Sequence, residues 1–104
     1  MPTTRINGRP IDVNDEGFLT VPEQWDEELG AALADLVGQP MTEDHWQVIR
    51  FLRNDFGPRQ ETATLRRTMT VGGFPTRELF ELFPGKPAKK MSYIAGLPKP
   101  KGCV

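Results

Sequence analysis

The sequence predicts a mainly α fold: a small helical bundle of about five helices, with a helix-turn-helix-like element, an N-terminal β-hairpin and a flexible C-terminal arm. Three observations carry this reading. Apolar residues recur at helical spacing through the middle of the chain, Asn7-Gly8 stands between two short extended segments, and the last eight residues have no apolar period at all. At 104 residues there is room for one domain and one modest core. The expected organisation is a helical domain over 1–96 and a mobile arm over 97–104.

Arg5-Ile6-Asn7-Gly8-Arg9-Pro10-Ile11 predicts a hairpin with a type I′ turn, and Pro10 restricts it to an edge. Asp15-Glu16-Gly17 predicts a second turn before Phe18 and Leu19. Thr20-Val21-Pro22-Glu23 has capping-box spacing and predicts a helix from there to about Gly38, with Trp25, Leu29, Ala32, Leu33 and Leu36 on its core face. Thr42 caps a second helix, in which Trp46, Ile49, Leu52, Arg53 and Phe56 keep the helical period, and Gly57-Pro58 is read as its end. A third helix is expected over about 61–69 and is broken by Gly72-Gly73. A fourth, over about 76–83, carries the apolar block Leu79, Phe80, Leu82 and Phe83. A fifth starts at Pro87, whose missing N–H costs nothing at a helix start, and stops at Gly96.

Composition narrows the function. No run of 18 apolar residues exists, so no membrane-spanning helix or membrane partner is expected. Met1-Pro2-Thr3-Thr4-Arg5 lacks a signal-peptide stretch, and a single free thiol suits a reducing compartment, so a cytoplasmic location is expected. One cysteine and one histidine offer no disulfide framework and no metal cluster, and neither a metal nor a cofactor is expected. The net charge of −1 hides a split: residues 1–45 hold ten acids and two arginines, whereas 46–104 hold four acids and eleven Lys or Arg. Such asymmetry suits faces that meet different partners.

His45 has no second His or Cys beside it, and its place at a helix start favours a capping or surface role. Gly72-Gly73 is followed by neither a P-loop nor a GxGxxG pattern. Helices 42–56 and 61–69 form the helix-turn-helix-like element, and Arg66 and Arg67 on the second are candidate partner-binding residues. Two adjacent arginines are equally at home on a solvated face, and direct nucleic-acid binding is not expected. The tail carries the sharper signal. Pro98 and Pro100 keep it extended, Gly102 frees the chain beside Cys103, and Lys99 and Lys101 favour the thiolate, the reactive form. From Gly96 the eight residues span up to about 25 Å. Cys103 is the candidate reactive residue, and Lys99 and Lys101 are candidate partner contacts.

The ending Ile94-Ala95-Gly96-Leu97-Pro98-Lys99-Pro100-Lys101-Gly102-Cys103-Val104 closely resembles the C-terminal arm of the DsrC/TusE family. Glu16-Gly17-Phe18-Leu19, the stretch from His45 to Arg53 and the stretch from Leu79 to Lys89 extend the likeness over nearly the whole chain. The resemblance implies a helical domain with a hairpin and a swinging arm. It also implies a penultimate cysteine, here Cys103, that accepts sulfur as a persulfide and hands it on. In the DsrC branch a second cysteine stands eleven residues earlier, where this chain has Ser92, so the single-cysteine, TusE-like branch is the better match. The implied partners are a TusBCD- or DsrEFH-like sulfur donor and an acceptor, either a thiouridylase that leads to tRNA 2-thiolation or a sulfite reductase. The expected activity is that of a sulfurtransferase-type carrier rather than a stand-alone enzyme. The alternatives are a sulfite-reductase-associated subunit or regulator of dissimilatory sulfur metabolism, and a helix-turn-helix regulator that binds nucleic acid.

Overall fold

A computed structural model describes residues 3–6 and 8–100. Strands β1 (Thr3–Ile6) and β2 (Arg9–Asp12) pair antiparallel with Ile6 opposite Arg9, which leaves a two-residue loop at positions 7 and 8. Asn7 lies outside the described residues, and Gly8 has φ +80°. In a two-residue hairpin the pair flanking the loop exchanges hydrogen bonds and the next pair does not. Pro10, opposite Arg5, therefore falls where no N–H is needed. Ile6 and Ile11 share the inward face and, with Val13 and Leu19, cover Leu29 and Leu33 of the first helix.

The first helix starts later than the sequence predicts. Pro22–Gln24 forms a single 3₁₀ turn, Trp25 is extended, and α1 runs Glu27–Leu36. Its cap is Asp26, whose carboxylate accepts from Leu29 N–H at 2.8 Å. The Thr20 hydroxyl makes no hydrogen bond, so the capping box read at Thr20–Glu23 does not form. Leu36, expected in the core, is exposed in the last turn of α1.

Helix α2 spans Glu43–Arg59 and passes through Gly57-Pro58 instead of stopping there. Pro58 removes one bond of the last turn. The Arg59–Asp55 ion pair and the bond from Gln60 N–H to the Phe56 carbonyl hold that turn closed. Gln60, with φ +53°, ends it. At the other end Thr42 and His45 are joined as a capping box. Thr42 N–H donates to His45 Nδ1, so the proton sits on Nε2, which donates to the Leu82 carbonyl at 2.8 Å. The lone histidine is thus a buried capping residue that ties α2 to Leu82.

Helices α3 (Leu65–Thr70), α4 (Thr76–Leu82) and α5 (Pro87–Ile94) complete the bundle. Phe80 of the α4 apolar block is exposed, whereas Leu79 and Phe83 are fully buried. Val48, Ile49, Leu52 and Phe56 of α2 pack on Met91 and Ile94 of α5 to make the main core. The hairpin–α1 cluster is a second core, and Trp25 and Tyr93 pack against both. Helix α5 therefore sits at the centre of the molecule. Among the described residues no helix is long and apolar enough to cross a membrane.

Candidate functional site

The C-terminal segment leaves α5 through a tightly specified exit. Ala95 ends the helix and Gly96, at φ +69°, takes the left-handed position after it. Leu97 N–H bonds the Ser92 carbonyl and Gly96 N–H bonds the Tyr93 carbonyl, the paired bonds of a Schellman motif. Leu97, the residue that such a motif turns back onto the helix, is buried.

Two carbonyls of the helix end are met from outside. Trp25 Nε1–H donates to the Ile94 carbonyl at 2.8 Å, and Arg53 Nη1 donates to the Ala95 carbonyl at 3.2 Å. Arg53 Nη2 bonds the Pro22 carbonyl at 3.1 Å, and its guanidinium lies 4.5 Å from the centre of the Trp25 ring. A positive charge suits the negative end of a helix, although burial pulls the Arg53 pKa below the ordinary arginine value. The arginine that interrupted the apolar stripe of α2 thus stacks on Trp25 and holds the root of the arm. From the sequence Trp25 reads as a core residue and Arg53 as a member of the α2 stripe, neither as part of the site; the charge on that apolar stripe is the signal that points to Arg53.

The next residues stay on the body. Thr62, buried in the link after α2, donates its hydroxyl to the Pro98 carbonyl at 2.7 Å. Lys99 Nζ reaches Glu16 Oε2 at 3.4 Å, and Lys89 of α5 reaches the same oxygen at 3.7 Å. Pro100 is buried. Glu16 is held in place by Asn14, whose Oδ1 accepts from the N–H groups of Glu16 and Phe18. Half-exposed ion pairs contribute roughly 0–1 kcal/mol, so the Lys99 contact is a weak tether beyond a strongly fixed root. Of the arm residues expected from Leu97 onward, Leu97 and Pro100 are buried and Lys99 is half-buried, while Pro98 is exposed and bonded only through its carbonyl. Lys101 and Cys103, both named from sequence, lie outside the described residues.

The two arginines of α3 part company. Arg67 grips Asp55 of α2 through Nε and Nη2, with the shortest contact 2.7 Å, and the Asp55 side chain is only 8% exposed. The Arg67 hydrogen bonds, aided by Arg59, hold the Asp55 pKa below the usual carboxylate value. Arg67 is thus committed to joining α3 to α2, and Arg66 alone is exposed. Arg67 pairs with Asp55 and Lys99 with Glu16, so these two cations serve separate contacts.

Beside the arm root is a cleft of about 530 Å³, lined by Glu16, Phe18, Val37 and Tyr93 together with Pro84–Lys86, Lys89 and Lys90. Phe18 and Tyr93 meet edge to face at 5.8 Å between ring centres, and burial pushes the Tyr93 phenol upward.

Comparison with known proteins agrees with this architecture. A family model described as DsrC like protein matches residues 5–104. The sulfurtransferase TusE of Pectobacterium atrosepticum is 36% identical, with 95% of this chain and 97% of that protein covered. The TusE of Escherichia coli K12 is 33% identical over the same shares. Among solved structures, Allochromatium vinosum DsrC superposes with a TM-score of 0.81 at 31% identity, covering 98% of this chain and 97% of that one. The oxidized γ-subunit of dissimilatory sulfite reductase (DsrC) from Archaeoglobus fulgidus gives a TM-score of 0.77 at 34% identity, covering 99% and 100%. With the hairpin, the five helices and a family match that runs from β1 to the last residue, the chain belongs to the DsrC-like family.

Proposed function

We propose that this protein is a sulfur-relay carrier that accepts sulfur as a persulfide on Cys103 and passes it to a partner protein. The observation that carries the reading is the near-full-length similarity to proteins named sulfurtransferase TusE. The arm root fits it: the strongly bonded turn at Gly96 fixes where the reactive segment starts. The Cys103 thiolate attacks the outer sulfur of the donor's persulfide. A new S–S bond forms at Cys103, the donor's S–S bond breaks, and its electron pair leaves with the donor cysteine as a thiolate. The second transfer repeats this toward the acceptor, so no external oxidant or reductant is consumed.

A second reading, association with a sulfite reductase, is favoured by the likeness to the A. fulgidus γ-subunit. The absence of a second cysteine from the sequence removes any intramolecular disulfide from that cycle, because Ser92 supplies only a hydroxyl. Arg67's commitment to Asp55 weighs against nucleic-acid binding through α3. The donor expected is a TusBCD- or DsrEFH-like complex, and tRNA 2-thiolation is the favoured destination.

Incubation with a sulfane-sulfur donor followed by intact mass measurement tests the reading. Adducts of about 32 Da per sulfur that vanish in Cys103→Ser are expected. Stoichiometric sulfite-reductase binding with no adduct would instead select the second reading.

A further inference from the structure

The cleft beside the arm root combines features that carriage alone does not require. Its walls bring together the Phe18 and Tyr93 rings, Pro84 and the side chain of Val37, which is 40% exposed at the end of α1. Around them stand Lys86, Lys89 and Lys90 against a single acid, Glu16. That acid is within ion-pair distance of both Lys89 and Lys99, so its charge is already divided. An apolar floor under surplus positive charge suits a soft, polarisable anion better than a hydrated one.

The chain itself supplies such an anion. Lys99 is bonded to Glu16, a wall of the cleft, and Pro100 follows it. Cys103 is three residues further, a reach of about 10 Å at ~3.3 Å per residue. A persulfide is a stronger acid than its parent thiol, so a loaded Cys103 ends in a perthiolate, which nearby ammonium groups stabilise. Its sulfurs also suit contact with aromatic ring edges.

We infer that segment 101–104, when Cys103 carries a persulfide, docks in this cleft with the perthiolate among Lys86, Lys89 and Lys90. The cleft shelters the transferable sulfur between donor and acceptor. Unloaded Cys103 lacks the extra sulfur and much of the charge, so docking marks the loaded state. This inference rests on the carrier reading, and its test separates the two.

Loaded protein is treated with tris(hydroxypropyl)phosphine, an uncharged phosphine that removes the outer sulfur as phosphine sulfide and returns the thiol. The neutral reagent avoids direct attraction to the lysines. Lys86→Gln/Lys90→Gln is expected to lose its sulfur at least about threefold faster than wild type. Val37→Asp, which places a repelling charge on the apolar wall, should do the same. Loading should also shift the backbone amide resonances of Val37 and Tyr93 in wild type, and less so in the variants. Unchanged thermal midpoints exclude unfolding as the cause. Equal rates in wild type and both variants, or no amide shifts on loading, overturn the sheltering cleft while leaving carriage intact. Failure to form any adduct overturns both.

Discussion

The Trp25 indole occupies the space that a side chain at position 96 would need. A Cβ built on Gly96 would overlap the indole at Cδ1 and Cγ, and Gly96 also has φ +69°. Glycine is therefore required twice at the arm root, for its backbone angle and for the close approach of the ring. The same ring bonds the Ile94 carbonyl and carries Arg53 on its face, so one aromatic residue sets the turn, caps α5 and seats the guanidinium.

Gly96→Ala should accordingly destabilise the fold by about 2–4 kcal/mol, from overpacking plus left-handed strain. Urea denaturation measures it. A loss below about 1 kcal/mol would mean that the indole yields easily and that the exit is looser than its hydrogen bonds indicate.

Arg53→Met keeps most of the stem but leaves the buried Ala95 carbonyl without the guanidinium donor and takes one of two donors from the Pro22 carbonyl, which Trp25 N–H still reaches. An unpaired buried acceptor costs roughly 1–3 kcal/mol, so a loss of about 1–3 kcal/mol is expected. Arg53→Lys should recover part of it, because one ammonium does not reproduce the fork that bonds both carbonyls while lying on the ring. Equal losses for the two variants would show that packing, not the donors, is what matters.

Asp55 gives a pH signature. Arg67 and Arg59 depress its folded-state pKa, so its contribution is fully present above the unfolded value of about 3.9 and is lost as pH falls through the lower, folded value. Asp55→Asn should lower the denaturation midpoint clearly at about pH 7. The gap to wild type should close on acidification, as the wild-type carboxyl protonates. A deficit that stays constant from neutral pH to about pH 2 would contradict the ion-pair account.

Much of this architecture is legible in the sequence. The strand pairing follows from the short extended segments that flank Asn7-Gly8 in the sequence, α5 from Pro87 and Gly96, and α2 from a stripe whose one charge is informative. Thr20-x-x-Glu23 satisfies a local capping pattern, yet α1 starts only at Glu27. A contact between Trp25 and Ile94, sixty-nine residues apart, instead pulls that segment out of helix. Gly57-Pro58 resembled a stop, but the last turn is closed by Asp55, Arg59 and Phe56. At the candidate site, Cys103 and the lysines stand out by composition. The roles of Trp25, Arg53, Thr62 and Glu16 depend on long-range contacts that no local spacing encodes.

The last prediction concerns Ser92, where this chain parts from the two-cysteine branch. Ser92 is fully buried, and its hydroxyl donates to the Ala88 carbonyl at 2.7 Å, one turn back in α5. Its own carbonyl accepts from Leu97 N–H, so the residue lies beneath the turn that starts the arm. A thiol placed here by Ser92→Cys changes size little and should alter stability by no more than about 1.5 kcal/mol. It would be closed to solvent, and a bond to Cys103 needs the two Cα atoms within about 7 Å. Ellman's reagent should therefore label one thiol of the folded variant quickly and the second at least about tenfold more slowly. The slow rate should rise with sub-denaturing urea, as expected for a site exposed by local opening. Under mild oxidant an intramolecular 92–103 disulfide should form at that slow rate, identified by non-reducing electrophoresis and peptide mapping. Fast formation independent of urea would show that position 92 is presented to the arm in the native fold. Formation of dimers alone would show that the arm does not return there. The slow, urea-dependent outcome would locate the difference between the branches in one buried side chain: a scaffold that still lets the arm come back, with serine closing off the covalent step.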